Sequence, residues 1–239
     1  FAHNVSKFLK TRGYNVLGAD LGLNTHLVRF GEGMVNTFVI LQQFEWALED
    51  KALPNNLWVD KAKTVVHVDP AVQAETKAMI NSTEVFIITL GLTEIWYDKR
   101  SGEPLWRAVH PKDYDDRVHG FRASTFQENF DNLCKIYGLI RAAKPDARIV
   151  FTLSPVPLVA TFRPISCITA SSVSKATLRA ALDEFIRANM GDEKLHYFPS
   201  YEIVKEVCVD PYADDNRHPK PEVIAMIMQS FERHYCVAS

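Results

Sequence analysis

Two short runs, Glu84-Val-Phe-Ile-Ile-Thr-Leu90 and Arg148 to Leu153, constrain this chain most. Each is apolar at consecutive positions rather than alternate ones. A strand of that kind must be covered on both faces, as the strands of a parallel sheet are. Segments of helical period lie around them. Phe1, Val5, Phe8 and Leu9 share one helical face, and Gly13 can end that helix. Asn15 to Leu17 reads as a short strand. Thr37 to Leu48 reads as a helix, and Pro70 to Ile80 as another with Pro in its first turn. Leu57 to Val68 is ambiguous between irregular chain and a short hairpin. Thr125 to Ala143 and Ser171 to Met190 read as helices, Leu195 to Phe198 as a strand, and Pro221 to Tyr235 as the closing helix. Strand and helix alternate, which predicts an α/β domain with a mainly parallel sheet covered on both faces. Ligands of such sheets sit at the carboxyl ends of the strands. The loops after Leu90, Leu153 and Phe198 fall there.

Three loops are long. Asp20 to Gly33 contains glycines, Gly91 to Gly120 is rich in Trp, Tyr, His and Asp, and Ser154 to Thr169 carries three prolines. Loops of that length are more often functional than filler. With 47% hydrophobic residues, 239 residues suffice for one large domain over 1–239. The net charge of -2, without a Lys/Arg cluster, gives no electrostatic case for nucleic acid or an anionic membrane. Val85 to Leu92, the longest apolar stretch, is far too short to span a bilayer. Cys134, Cys167, Cys208 and Cys236 are widely spaced, which suits four mostly buried thiols in a reducing, cytoplasmic compartment. The eight histidines form no H-x-H or H-E-x-x-H pair, so no metal is expected. No P-loop or G-x-G-x-x-G follows a strand, and no cofactor is implied.

Asp215-Asn216-Arg217-His218-Pro219 is the motif that points to chemistry. Asp and His three residues apart can leave one turn on the same side. The carboxylate can then hold one ring nitrogen and leave the other free to take a proton from a nucleophile. Asp116-Arg117-Val118-His119 fits the same pattern but lies in the long excursion, just before a helix start, where a structural turn is the plainer reading. Gly91-Leu92-Thr93-Glu94 follows the clearest strand. Gly91 allows close approach of the backbone to a ligand, and Thr93 can offer a hydroxyl to a developing oxyanion. A plain turn with a solvated Glu94 explains the same residues. Gly31-Glu32-Gly33 can bring a backbone N–H to the site or be a simple turn. Ser154 is a conceivable nucleophile, but a residue before proline is held extended, which suits a role in shaping its loop.

Several segments together resemble the GSCFA family of the SGNH (GDSL-like) hydrolase superfamily. Phe1-Ala2, running into Asn4-Val5-Ser6-Lys7-Phe8-Leu9, is similar to the last two letters of that family's Gly-Ser-Cys-Phe-Ala motif and the helix after it. Thr89 to Trp96, His119-Gly120-Phe121-Arg122, Leu153 to Leu158, Ser174-Lys175-Ala176-Thr177-Leu178-Arg179-Ala180 and Asp215 to His218 continue the resemblance in order, over nearly the whole chain. The resemblance implies a flavodoxin-like three-layer α/β/α fold and a site for acyl transfer at an ester. His218 would be the general base and Asp215 its orienting partner. Gly33 would supply an oxyanion N–H. Thr93 stands where the superfamily usually has Asn. The nucleophile would be the Ser or Cys of Gly-Ser-Cys, the order in the superfamily favouring Cys. The resemblance therefore predicts a polypeptide that extends upstream of Phe1. It also predicts an esterase or O-acyltransferase for a small-molecule or saccharide acyl ester, the aromatic loop Trp96 to Phe121 forming a wall or lid. A non-catalytic binding module that keeps the fold without the nucleophile is the alternative.

Overall fold

The computed structural model describes residues 2–17, 35–54, 57–58 and 69–236. Its first helix, α1 (Ala2–Thr11), ends at Gly13, whose φ of +85° is the left-handed conformation glycine adopts without strain. Helices α2 (Thr37–Leu48) and α3 (Pro70–Ser82) start on side-chain caps. Asn36 accepts the N–H of Val39 and Asp69 that of Val72, both at 2.9 Å. Strand β1 (Val85–Leu90) follows, then β2 (Glu94–Asp98) and β3 (His119–Ala123). Helix α4 (Phe126–Ala143) begins with a capping box. Thr125 Oγ1 accepts the Glu128 N–H and the Glu128 carboxylate accepts the Thr125 N–H. Strand β4 (Arg148–Leu153), helix α5 (Cys167–Ala188), strand β5 (Leu195–Phe198), the short α6 (Ser200–Glu202) and α7 (Pro221–Tyr235) complete the order.

Among the described residues the main sheet is parallel in the order β1-β4-β5. The apolar runs cover two faces at once, as their composition requires. Phe86, Ile88, Leu90, Ile149, Phe151 and Leu153 pack with α2, α3, α4 and α5 in one core. Ile87, Val150 and Phe198 turn the other way and pack with Val5 and Leu9 of α1 and Ile227 and Phe231 of α7. The result is a three-layer α/β/α sandwich, in agreement with the fold class read from the residues.

Three local expectations are corrected. Residues 14–17 form no strand, because no described segment pairs with them. The excursion Gly91 to Gly120 is not irregular throughout. It contains β2, which pairs antiparallel with β3, Tyr97 lying opposite Gly120. The tyrosine ring occupies the place a Cβ on Gly120 would take, so glycine is what lets the ring cross the hairpin. His119 opens β3, ahead of the helix that starts at Phe126 as the sequence suggests. Helix α5 starts at Cys167, earlier than the apolar period suggested, and residues 203–207 add a π turn after α6. The ambiguous segment Leu57 to Val68 and the loop Asp20 to Gly33 lie largely outside the described residues, apart from irregular Leu57-Trp58.

Candidate active site

The loop between Pro211 and Lys220 is closed on itself. Lys220 N–H donates to the Pro211 carbonyl, Ala213 N–H to that of His218, and Asn216 N–H to that of Ala213, at 2.8–2.9 Å. Asn216 takes a left-handed φ of 53° to make the turn. That turn brings both backbone N–H groups of Arg217 and His218 onto one oxygen of Asp215, each at 2.9 Å. The other carboxylate oxygen meets His218 Nδ1 at 2.5 Å. The imidazole and the two N–H groups hold the Asp215 carboxyl down at about 2, so it is ionised at neutral pH. An ionised Asp215 fixes the tautomer with Nδ1–H donating, which leaves Nε2 as an acceptor on an exposed ring.

The loop is pinned over the carboxyl ends of the sheet. Arg217 Nε donates to the Pro157 carbonyl at 3.1 Å and the Tyr212 hydroxyl to that of Pro155 at 3.2 Å. Both carbonyls belong to the segment leaving β4. The hollow lined by Tyr137, Arg141, Asp192 and Lys194 opens at the opposite end, where β4 and β5 begin.

The turn after β1 does not present free donors. Gly91 N–H donates to the Val35 carbonyl at 2.7 Å, and a Cβ on Gly91 would sit 3.0 Å from the Val35 side chain. The close approach that glycine permits here is to the chain itself. Thr93 is buried, and both its N–H (2.7 Å) and its hydroxyl (3.2 Å) are directed at Ser174 Oγ. Glu94 is not solvated. Its carboxylate accepts the Thr161 hydroxyl at 2.5 Å, and burial pushes its pKa up. Gly33 lies outside the described residues. Ser154 is buried, and its Oγ accepts the Val156 N–H at 3.3 Å, which suits shaping of the loop.

The first Asp-x-x-His copy is not assembled as a dyad. Asp116 bonds Lys99 and Tyr114, and His119 Nδ1 accepts the Asp115 N–H at 3.0 Å. His119→Ala is expected to leave ester turnover within about tenfold of the parent. A loss approaching that of a His218 variant would show that the wrong pair had been chosen.

Lys175 was missed by sequence reasoning as a site residue. It is only 4% exposed, yet its ammonium meets no carboxylate among the described residues. Nζ donates to the carbonyls of Gly91 at 2.6 Å and Ser154 at 2.7 Å. A signal was present: Ser171, Ser174, Lys175, Leu178, Leu182 and Phe185 form the buried stripe of α5, and a lysine there is out of place. Burial, then the nearby Arg217 charge, pushes the Lys175 ammonium down to about 7 from 10.5. The unfolded chain therefore binds more protons than the folded one between those values. Stability from this group rises as pH goes from about 7 to 10.5, and the cost of the buried charge is fully present below 7. Lys175→Met is expected to flatten the climb of melting temperature over that interval. An unchanged slope would assign it to another group.

All four cysteines are half-buried free thiols, not core residues; none is paired. No helix among the described residues is long and apolar enough to cross a membrane.

The GSCFA family model matches residues 1–231. The chain belongs to the GSCFA family. No curated protein sequence matches it. Among solved structures, an acetyl xylan esterase (Est2A) from the rumen bacterium Butyrivibrio proteoclasticus is similar at 12% identity and a TM-score of 0.33. That likeness covers 63% of this GSCFA chain and 36% of the esterase, so the chain spans about a third of its length.

Proposed function

We propose that this GSCFA protein transfers an acyl group from an ester, through an acyl-enzyme, to water or to another hydroxyl. The observation that carries the reading is the 2.5 Å contact between ionised Asp215 and His218, on a loop tied to the carboxyl end of β4. An oriented imidazole with a free Nε2 is the part of an acyl-transfer site that must be built most accurately.

In this reading the nucleophile is the Ser or Cys of the Gly-Ser-Cys-Phe-Ala motif, whose last two letters match Phe1-Ala2. His218 Nε2 takes its proton as it attacks the ester carbonyl. His218 then returns that proton to the departing alcohol oxygen, leaving the acyl group on the nucleophile. In the second half His218 deprotonates the acceptor hydroxyl as its oxygen attacks the acyl carbon. The bond to the nucleophile breaks, and His218 returns the proton to that nucleophile, which regenerates the enzyme. Asp215 stabilises the imidazolium in both halves. With Gly91 and Thr93 donating internally, Gly33 N–H is the oxyanion donor this reading keeps from the original three.

A saccharide ester is the substrate class we favour. Tyr114 and Phe162, both about half exposed, meet buried Trp96 edge-on at 6.0 and 4.7 Å, and Phe121 completes the group. Such rings can pack on the apolar face of a sugar. The test is the intact mass of the natural polypeptide after exposure to 4-nitrophenyl acetate. An acetyl adduct that His218→Ala fails to form supports acyl transfer. No adduct on the parent would favour the binding module.

A further inference from the structure

We propose that Lys175 is a positioning residue of this site, a buried cation on α5 that holds the two strand-end turns in the geometry acyl transfer requires. The inference rests on the acyl-transfer reading above. Its central observations are the two bonds of Lys175, which do not involve Asp215 or His218. Lys175 Nζ ties the first carbonyl after β1 (Gly91) to the first carbonyl after β4 (Ser154). The preceding residue, Ser174, holds the Thr93 N–H in the same turn. One dipeptide of α5 therefore fixes both segments leaving the parallel strands. The Ser154 turn continues through Pro155 and Pro157, on which the Tyr212 and Arg217 contacts of the His218 loop rest.

A lysine is an unusual choice for a buried helix stripe. A buried charge without a counter-ion costs free energy, and its two bonds to the Gly91 and Ser154 carbonyls offset part of that cost. What an ammonium adds is strength and direction. Charge-assisted bonds are roughly twice as strong as neutral ones. Misplacement of reacting groups by about 1 Å can cost about a hundredfold in rate.

The charge state of Lys175 should then be visible in catalysis. The surrounding elements carry Tyr212, Asp214, Asp215, Arg217, His218 and Lys220 on the 211–220 loop and Glu94, Tyr97 and Asp98 on β2. Of these, Arg217 acts on Lys175, whereas Glu94 is bonded to Thr161 and Arg179, further along α5, is bonded to Glu202. Deprotonation leaves the amine two N–H donors but removes the charge, so kcat should fall as pH rises above neutrality.

The experiment measures kcat and KM for 4-nitrophenyl acetate from pH 5 to 10 on the full natural polypeptide, its Lys175→Met variant and His218→Ala. We expect an alkaline limb in kcat of the parent. In Lys175→Met, kcat at neutral pH falls at least tenfold with KM within threefold, and the alkaline limb is lost. Parent turnover matched within twofold by Lys175→Met, or an alkaline limb that survives in it, overturns the positioning role and leaves the acyl-transfer reading standing. Absence of His218-dependent turnover in the parent overturns the acyl-transfer reading itself, and the positioning role with it. If Lys175→Met does not fold, the pH dependence of the parent decides: a flat KM with a falling alkaline kcat supports the role, and a flat kcat sinks it.

Discussion

His218→Ala is expected to lower ester turnover by about ten-thousandfold while melting temperature and circular dichroism stay those of the parent. The expectation follows from placement. The ring is exposed, its hydrogen-bond partners are on its own loop, and it belongs to neither hydrophobic core. Its removal deletes proton transfer in both halves of the proposed reaction and disturbs no packing. Asp215→Asn should cost less, about a hundredfold or more, because an amide can still meet Nδ1 but favours the wrong tautomer and does not balance the imidazolium. Since Asp215 stays ionised down to about pH 2, an acidic limb in the rate at higher pH does not come from Asp215. Both variants can be compared by single-turnover acetylation. Normal turnover in His218→Ala would end the dyad proposal. A larger loss for Asp215→Asn than for His218→Ala would mean that Asp215 acts on something besides the imidazole.

Phe185→Ala is the change expected to damage the fold most. Phe185 is fully buried on α5, edge-on to Phe151 of β4 at 5.4 Å and to Tyr137 of α4 at 5.6 Å. It joins the helical layer to the middle described strand at a point that also sets the seat of α5. Truncation should cost about 3–5 kcal/mol through lost burial and a cavity that the close-packed neighbours cannot fill. For a domain of this size that corresponds to roughly 10 °C in melting temperature. Urea unfolding measures it directly. A cost below about 1 kcal/mol would mean that α5 does not pack on β4 as described. Specific activity per folded molecule should be less affected than stability, since Phe185 is not among the residues that hold the His218 loop.

Much of the frame was legible because burial on both faces leaves a mark in composition. Glu84 to Leu90 and Arg148 to Leu153 admit little but covered parallel strands, and Thr37 to Leu48 and Pro221 to Tyr235 are bounded by their own caps and prolines. The β2–β3 hairpin was not legible. Its register is set by one cross-strand pair, Tyr97 over Gly120, between residues 23 apart with no short turn to announce it. Within the site, Asp215 and His218 could be paired from spacing alone because their contact is local, closed by one turn at Asn216.

The roles of Gly91, Thr93 and Lys175 were different in kind. A glycine and a hydroxyl after a strand look like donors waiting for a ligand until their partners, Val35 and Ser174, are seen to have taken them. Lys175 looked like part of a family block, and its two carbonyls lie 84 and 21 residues away. Local chemistry thus determined the layers, the caps and the Asp-His pair, because each depends on neighbours a few residues apart. Only the tertiary structure decided which donors at the strand ends remain free and which cation binds them, because those bonds form between segments that meet only when the sheet and its helices have packed.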